Sequence, residues 1–220
     1  MLFRNAHTPG AACLPARTAI LTGVNAFNSG IYTMTGDWRE NPRLDGVTTL
    51  PRHFRENGYE TLGAGKIFHA HSYSIRGFRG QQDETAWDAY FPSLERQLPD
   101  EVFPVEGQTD GDAAGNGIST GHFDFFPTVT TDDAMGDGQV VRWVREQLAT
   151  AHEGPRFVAA GLYRPHLPWY VPQPYFDMHP VENVQLPDYL ESDLDDVPPA
   201  YAELIGVEPD LDTSTMGWIK

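Results

Sequence analysis

A chain of 220 residues, of which 40% are hydrophobic, is long enough to enclose a sizeable core. Its formal net charge of −16 argues against nucleic acids and anionic membrane surfaces as partners, and no apolar run reaches the length of a membrane-spanning helix. The single cysteine excludes an internal disulfide and leaves the redox compartment open. No apolar stretch typical of a signal peptide follows Met1.

The segment around the single cysteine predicts a helix with a polar entrance. Pro15 lies just inside the predicted start and Gly23 just after the end, which are favoured positions for these residues. Cys13 would then lie where free backbone N–H groups favour an anion, and Arg17 would lie on the same face one turn later. A lone cysteine is also typical of a small buried side chain, so the spacing alone leaves both interpretations open.

The next segments predict a loop, a helix and a buried strand. Residues 24–43 are interpreted as an irregular surface loop, in which residues 35–39 either line a pocket or pack around Trp38. Residues 48–58 predict a helix with threonine at its cap, proline in its first turn and glycine after its end. Tyr59–Gly65 predicts a strand that places Lys66 and His69 at its carboxyl end, where open α/β sheets bind ligands.

Residues 71–127 show little periodicity and only two weak metal patterns. Asp110 and Asp112 faintly resemble the start of a calcium loop, but Ala114 and Gly121 stand where oxygen ligands are required. The pair of His69 and His71 lacks the further ligands of a metal cluster. We therefore interpret His71 as a loop histidine.

The second half of the chain predicts a helix, a strand and an extended tail. The helix is expected from Thr131 to Ala149, with an apolar face formed by Val140, Val141, Val144 and Leu148. Residues 155–162 predict a core strand that ends at the polar segment 163–168. Two helix–strand pairs of this kind predict a mostly parallel sheet, and residues 168–220 are expected to be a Pro-rich, acidic, extended surface segment that includes residues 193–196.

Five short motifs in this chain resemble, in order, those of one enzyme family. Cys13-x-Pro15-x-Arg17 followed by Leu21-Thr22-Gly23 resembles the signature of the type I sulfatases. Similarity to the iduronate-2-sulfatase-like branch extends across nearly the whole chain, at residues 65–69, 132–148, 163–168 and 194–198. The resemblance implies an alkaline-phosphatase-like three-layer α/β/α fold with a mostly parallel central sheet, incomplete in residues 1–220.

The resemblance also implies site residues and their roles. Cys13 would be converted to formylglycine by a formylglycine-generating enzyme, and its hydrate would attack a sulfate ester, for which a sulfated sugar is one candidate. Formylglycine 13 would also ligate Ca²⁺. Arg17 would hold the diol, Lys66 would contact the sulfate and its metal, His69 would act as a base, and His166 would lie near the leaving-group oxygen.

The family's remaining calcium ligands have no counterpart in the sequence. Sulfatases of this type carry an Asp-Asp pair before the cysteine motif and further ligands much later. We therefore expect residues 1–220 to be an internal piece of a sulfatase, about half of it, that is inactive on its own. The whole protein would be periplasmic or secreted if it carries a signal peptide. Two alternatives stay open: a phosphonate or phosphate ester hydrolase of the same superfamily, and a non-catalytic anion-binding remnant in which Cys13 remains a thiol.

Overall fold

The computed structural model divides into two compact units, which are residues 1–103 with 129–166, and residues 104–128 with 167–220. Cys13, Arg17, Lys66, His69 and His166 all belong to the first unit. The residues that the structure describes are 2–70, 80–100, 125–128, 130–167 and 169–185, with 188 and 198 as single positions.

Five helices and five strands are described. The helices are α1 (Cys13–Thr22), α2 (Ala26–Ser29), α3 (Leu50–Glu56), α4 (Gly136–Ala149) and α5 (Gln173–Asp177). The strands are β1 (Glu60–Gly65), β2 (Ala89–Phe91), β3 (Phe125–Thr128), β4 (Arg156–Gly161) and β5 (Trp169–Pro172). None of the described helices is long and apolar enough to cross a membrane.

The sheet of the first unit is parallel, with strand order β2-β1-β4. Gly65 pairs with Gly161 at the carboxyl end of the β1–β4 ladder. The segments that follow β1 and β4 therefore leave the same edge of the sheet. The parallel α/β class predicted from the sequence is confirmed.

Aromatic packing joins the sheet to the helices and to the loop after α1. Phe54 of α3 stacks on Phe157 of β4, with ring centroids 4.6 Å apart. Trp38 stacks on Phe68 at 5.6 Å and is buried, which confirms its interpretation as a packing anchor. The larger of the two buried hydrophobic clusters described in this unit comprises Leu21, Trp38, Leu44, Phe68, Ala86, Trp87 and Tyr90.

The prediction for residues 24–43 was partly wrong. Besides α2, this segment forms two 3₁₀ helices, Trp38–Glu40 and Pro42–Leu44. The side chains of Asp37 and Asn41 each accept a hydrogen bond from the backbone N–H two residues ahead. These local bonds stabilise single turns that lack the periodicity of a longer helix.

Helix α4 also differs from its prediction. It begins at Gly136, because Met135 has an extended backbone (ψ 150°) that separates the helix from a 3₁₀ turn at Asp132–Ala134. Val140 is buried, whereas Val141 and Leu148 are 43% and 64% exposed. The predicted four-residue apolar face is therefore wrong, since two of its members point away from the sheet.

Regular structure also occurs in two segments that the sequence did not assign to helices or strands. Residues 71–127 include the short strands β2 and β3, of which β2 pairs with β1 over only three residues. Beyond position 168, residues 169–177 form β5, which pairs in parallel with β3, and then α5; the extended character of residues 168–220 as a whole stays a prediction. His71, the predicted calcium loop at 110–121 and the acidic residues 193–196 lie outside the described residues.

Candidate active site

Cys13 is the first residue of α1 and lies between two other side chains. The helix starts after Ala12, whose backbone is extended, and ends at Gly23, whose N–H donates to the Ala19 carbonyl. Cys13 is half-buried and its Sγ lies 3.6 Å from His69 Nδ1 and 3.6 Å from Met34 Sδ. The predicted helix entrance is therefore present, and the structure brings Cys13 and His69 together across 56 positions of sequence.

Arg17 connects α1 to the turn that follows β1. One guanidinium nitrogen donates to the carbonyls of Lys66 and Ile67, at 2.6 and 2.8 Å. Burial lowers the pKa of Arg17 from its ordinary value, and the nearby Cys13 opposes that change when it is ionised. Arg17 thus fixes the backbone beside Cys13, a positioning role that the resemblance did not imply.

Lys66 is directed away from the sheet by the glycine before it. Gly65 has a φ of 73°, and a Cβ there would overlap the Gly161 carbonyl oxygen, so glycine is required by both conformation and space. The N–H of Lys66 then donates to the same carbonyl at 2.7 Å. This tight turn ends the strand and sends the lysine side chain into the interior of the first unit.

The ammonium group of Lys66 is buried and has no hydrogen-bond acceptor among the described residues. Lys66 is 1% exposed, and its Nζ has no hydrogen-bond partner in the described part of the chain. It lies 4.4 Å from the centroid of the Tyr163 ring, a cation–π contact. Buried ammonium groups are ordinarily paired with an anion or with several acceptors, so the environment of Lys66 suits a bound anion.

Electrostatics around Lys66 supports the same conclusion. The pKa of Lys66 is lowered from 10.5 to about 8, mainly by burial; ionised Cys13 raises it, and the positive charges of Arg17 and Arg164 add to the lowering. Three cationic side chains therefore act on one small region of a chain whose net charge is −16.

Contacts from residues 80–100 hold the segment that carries His69. The carbonyl of His69 accepts a hydrogen bond from the N–H of Gln81 at 2.9 Å, and the N–H of Ile67 donates to Gln97 Oε1 at 3.2 Å. His69 is 8% exposed, with Nδ1 directed at Cys13. The imidazole is therefore held beside the sulfur by a hydrogen bond to its own carbonyl and by one from the N–H two residues before it.

His166 is joined to the Lys66 side of the site through Tyr163. The His166 ring lies 4.8 Å from the Tyr163 ring between centroids, and Lys66 Nζ lies over the same tyrosine ring. The carboxylate of Asp137, in the first turn of α4, accepts hydrogen bonds from the N–H groups of Tyr163 and Arg164, at 2.6 and 2.9 Å. The turn after β4 is thereby fixed against α4.

The structure reveals functional neighbours that the sequence did not identify. Tyr163 and Arg164 lie within the predicted polar segment 163–168, so their position was available even though their contacts were not. For Asp137, the only sequence signal is the general preference of acidic residues for the first turn of a helix. Met34 lies in a segment without periodicity, and nothing in the sequence pointed to its contact with Cys13.

The side chains around Cys13 do not fit a calcium ion. Ca²⁺ takes six to eight oxygen ligands, whereas the contacts of Cys13 are an imidazole and a thioether, with Lys66 and Arg17 close by. Within the described ranges, no group of three or more His, Cys, Asp or Glu residues could hold a metal ion. The cationic side chains of Lys66 and Arg17 would instead favour an anion beside Cys13.

Comparison with known proteins relates the chain to sulfatases. The sulfatase family model matches residues 1–200. A sulfatase of Formosa agariphila is 34% identical over 211 residues, which cover 90% of this chain and 38% of that protein. Human iduronate 2-sulfatase is 28% identical over 188 residues, which cover 84% of this chain and 32% of that protein. The chain thus spans about a third of the length of these curated relatives.

A solved structure shows a more distant similarity. The phosphonate monoester hydrolase of Agrobacterium radiobacter matches with a TM-score of 0.44 and 17% identity, over 78% of this chain and 35% of that one. This similarity is too distant to support a choice of substrate.

Proposed function

Because the chain belongs to the sulfatase family, we propose that it supplies the nucleophile and the anion-binding groups of an active site that hydrolyses sulfate esters. The observation that carries this proposal is the buried ammonium of Lys66, which has no hydrogen-bond partner among the described residues and is close enough to Cys13 for their charges to interact. A sulfate group beside residue 13 would supply the missing acceptor.

The reaction requires that Cys13 be converted to formylglycine. As its hydrate, formylglycine supplies one hydroxyl that attacks the ester sulfur and a second whose deprotonation releases sulfate and restores the aldehyde. Cys13 Sγ marks where these hydroxyls would lie. Such a nucleophile suits a site whose other groups hold an anion and move protons.

We assign the proton transfers to the two histidines. His69 Nδ1, 3.6 Å from Cys13 Sγ, is placed to accept a proton from the hydroxyl groups of residue 13. His166, beside Tyr163, would donate a proton to the departing alcohol oxygen. Lys66 and Arg17 would stabilise the negative charge on the sulfate oxygens, where exclusion of water strengthens their effect.

Members of this family generally use Ca²⁺, which polarises the sulfate group. No step is assigned to it here, because the described residues do not fit such a site. The proposal includes activity of the whole protein on sulfate esters, with sulfated sugars as one candidate class of substrate. The formylglycine-generating enzyme is likewise proposed as a partner.

Alkylation of Cys13 tests whether the site binds an anion. Since Cys13 is the single cysteine, its rate of reaction with iodoacetamide can be measured directly. We expect sodium sulfate to slow the reaction, because a bound anion covers the sulfur and disfavours the thiolate. The effect should disappear in Lys66→Met and persist in Lys220→Met, which removes the other lysine of the chain. Equal protection in both variants would contradict the proposal.

Mass spectrometry and turnover then test the chemistry. After co-expression with a formylglycine-generating enzyme, the peptide that contains Cys13 should have the mass of the formylglycine form. An unmodified thiol would favour a non-catalytic anion-binding protein. With the complete protein, faster hydrolysis of an aryl sulfate than of the matched aryl phosphate is expected, and the opposite preference would favour a phosphate or phosphonate ester hydrolase.

A further inference from the structure

We propose that Met34 is a specificity-determining residue, whose side chain contacts the alcohol part of the ester and favours alcohols with a large apolar surface. The inference rests on the proposed function, since it concerns the same site. It starts from the contact between Met34 Sδ and Cys13 Sγ at 3.6 Å.

The two side chains that contact Cys13 differ in exposure. His69 is 8% exposed, whereas Met34 is 41% exposed and reaches solvent. Cys13 itself is half-buried. An ester that reacts at residue 13 directs its sulfate group inward, towards Lys66, so its alcohol part must extend outward past Met34.

Gln81 ties Met34 and His69 to each other through the backbone. Its N–H donates to the His69 carbonyl at 2.9 Å, and its side-chain amide donates to the carbonyl of Gly36, two residues after Met34, at 2.7 Å. The hydroxyl groups of Thr33 and Thr35, on either side of Met34, hydrogen-bond to each other at 2.8 Å. Met34 is therefore held against the nucleophile although it is exposed.

The chemistry of methionine indicates what it would contact. Its thioether is polarisable, apolar and only a weak acceptor, so it cannot recognise the charged sulfate that the cations hold. It can pack against an aromatic ring or against the carbon-rich face of a sugar. A small alcohol such as methanol offers no surface for that contact.

Substrate discrimination by the complete, formylglycine-bearing protein provides the main test. We expect Met34→Ala to lower kcat/KM for 4-nitrophenyl sulfate by about tenfold, the effect of removing an apolar contact of this size, with little change for methyl sulfate. Met34→Leu should retain the preference. Met178→Ala serves as the control, because Met178 is an exposed methionine in the other unit. An equal loss on both esters, or no loss, would overturn the assignment.

A second measurement is independent of turnover. In the unmodified chain, we expect Met34→Ala to raise the rate of Cys13 alkylation by iodoacetamide several-fold, while Met178→Ala leaves it unchanged. An unchanged rate in Met34→Ala would show that Met34 does not cover the sulfur. It would overturn the inference about Met34 and leave the proposed function standing. A parent protein that hydrolyses neither ester would instead overturn the proposed function, and the specificity role with it.

Discussion

Replacing Lys66 with methionine should make the chain more stable in the absence of anions. Lys66 is buried and its ammonium has no hydrogen-bond partner in the described residues. Methionine has a similar length and no charge, so Lys66→Met removes the cost of burying the ammonium while it fills most of the same space. A binding group that lowers stability until its ligand arrives is typical of a functional site.

The pKa of Lys66 gives the size of the effect. A fall from 10.5 to about 8 corresponds at neutral pH to a penalty of about 3 kcal/mol, since each tenfold change in the ionisation constant is worth about 1.4 kcal/mol. The cation–π contact with Tyr163, which the substitution also removes, offsets about 1 kcal/mol. We therefore expect the free energy of unfolding to rise by about 1–3 kcal/mol.

The pH dependence of this difference follows from the direction of the pKa change. Because the folded state binds the proton less tightly, the unfolded state carries more protons between about pH 8 and 10.5. The stability of the lysine form relative to Lys66→Met should therefore rise with pH across that window. Below about pH 8 the full penalty remains.

Urea unfolding at pH 7 and pH 10 measures the effect. Both proteins should carry Cys13→Ser, so that no thiol titrates in this range; because ionised Cys13 raises the pKa of Lys66, its removal can only deepen the penalty. Sulfate should stabilise the lysine form and leave the methionine form unchanged. If Lys66→Met is less stable than its parent at pH 7 without anions, the ammonium has an acceptor and the reasoning is wrong.

Three further predictions concern the segments that build the site. Gly65→Ala should destabilise the chain by about 3 kcal/mol or more, because a Cβ there overlaps the Gly161 carbonyl. Thermal unfolding measures this loss. The control is Gly23→Ala, where the glycine has the same φ of 73° but open space around it, so a loss of only about 1 kcal/mol is expected. Asp137→Ala should cost about 1–3 kcal/mol by leaving two strand-end N–H groups without an acceptor, and hydrogen exchange of those amides should quicken. Arg17→Lys cannot keep the guanidinium contacts to two successive carbonyls, so protection of the thiol by sulfate should weaken; unchanged protection would exclude the positioning role.

The sequence predicted the parts of the site that depend on local rules. Pro15 and Gly23 bracket α1, so the position of Cys13 at its start followed from capping preferences. The strand ending at Gly65 also followed from its composition. Because parallel strands end at one edge of a sheet, Lys66 and the segment after β4 were expected to meet there, and the structure brings them together through Tyr163.

The sequence could not predict contacts that join segments without periodicity. Two residues after Met34, the carbonyl of Gly36 accepts a hydrogen bond from Gln81, 45 positions later in the chain, and no local pattern encodes such a pairing. The acids at 132 and 133 were interpreted as a first helical turn, but the extended backbone of Met135 separates them from α4. Asp137 then takes the position at the start of the helix, where it accepts from the turn after β4.

The hydrogen bonds of the site explain how positive charge persists in a chain with a net charge of −16. Arg17 donates to backbone carbonyls rather than to a carboxylate, so it is held in place without being neutralised by an opposite charge. The carboxylate of Asp137 is occupied by two peptide N–H groups. A carboxylate beside Lys66 would cancel its attraction for an anion. Because Arg17 and Asp137 both bond to backbone groups instead, this buried region stays suited to a negatively charged ester.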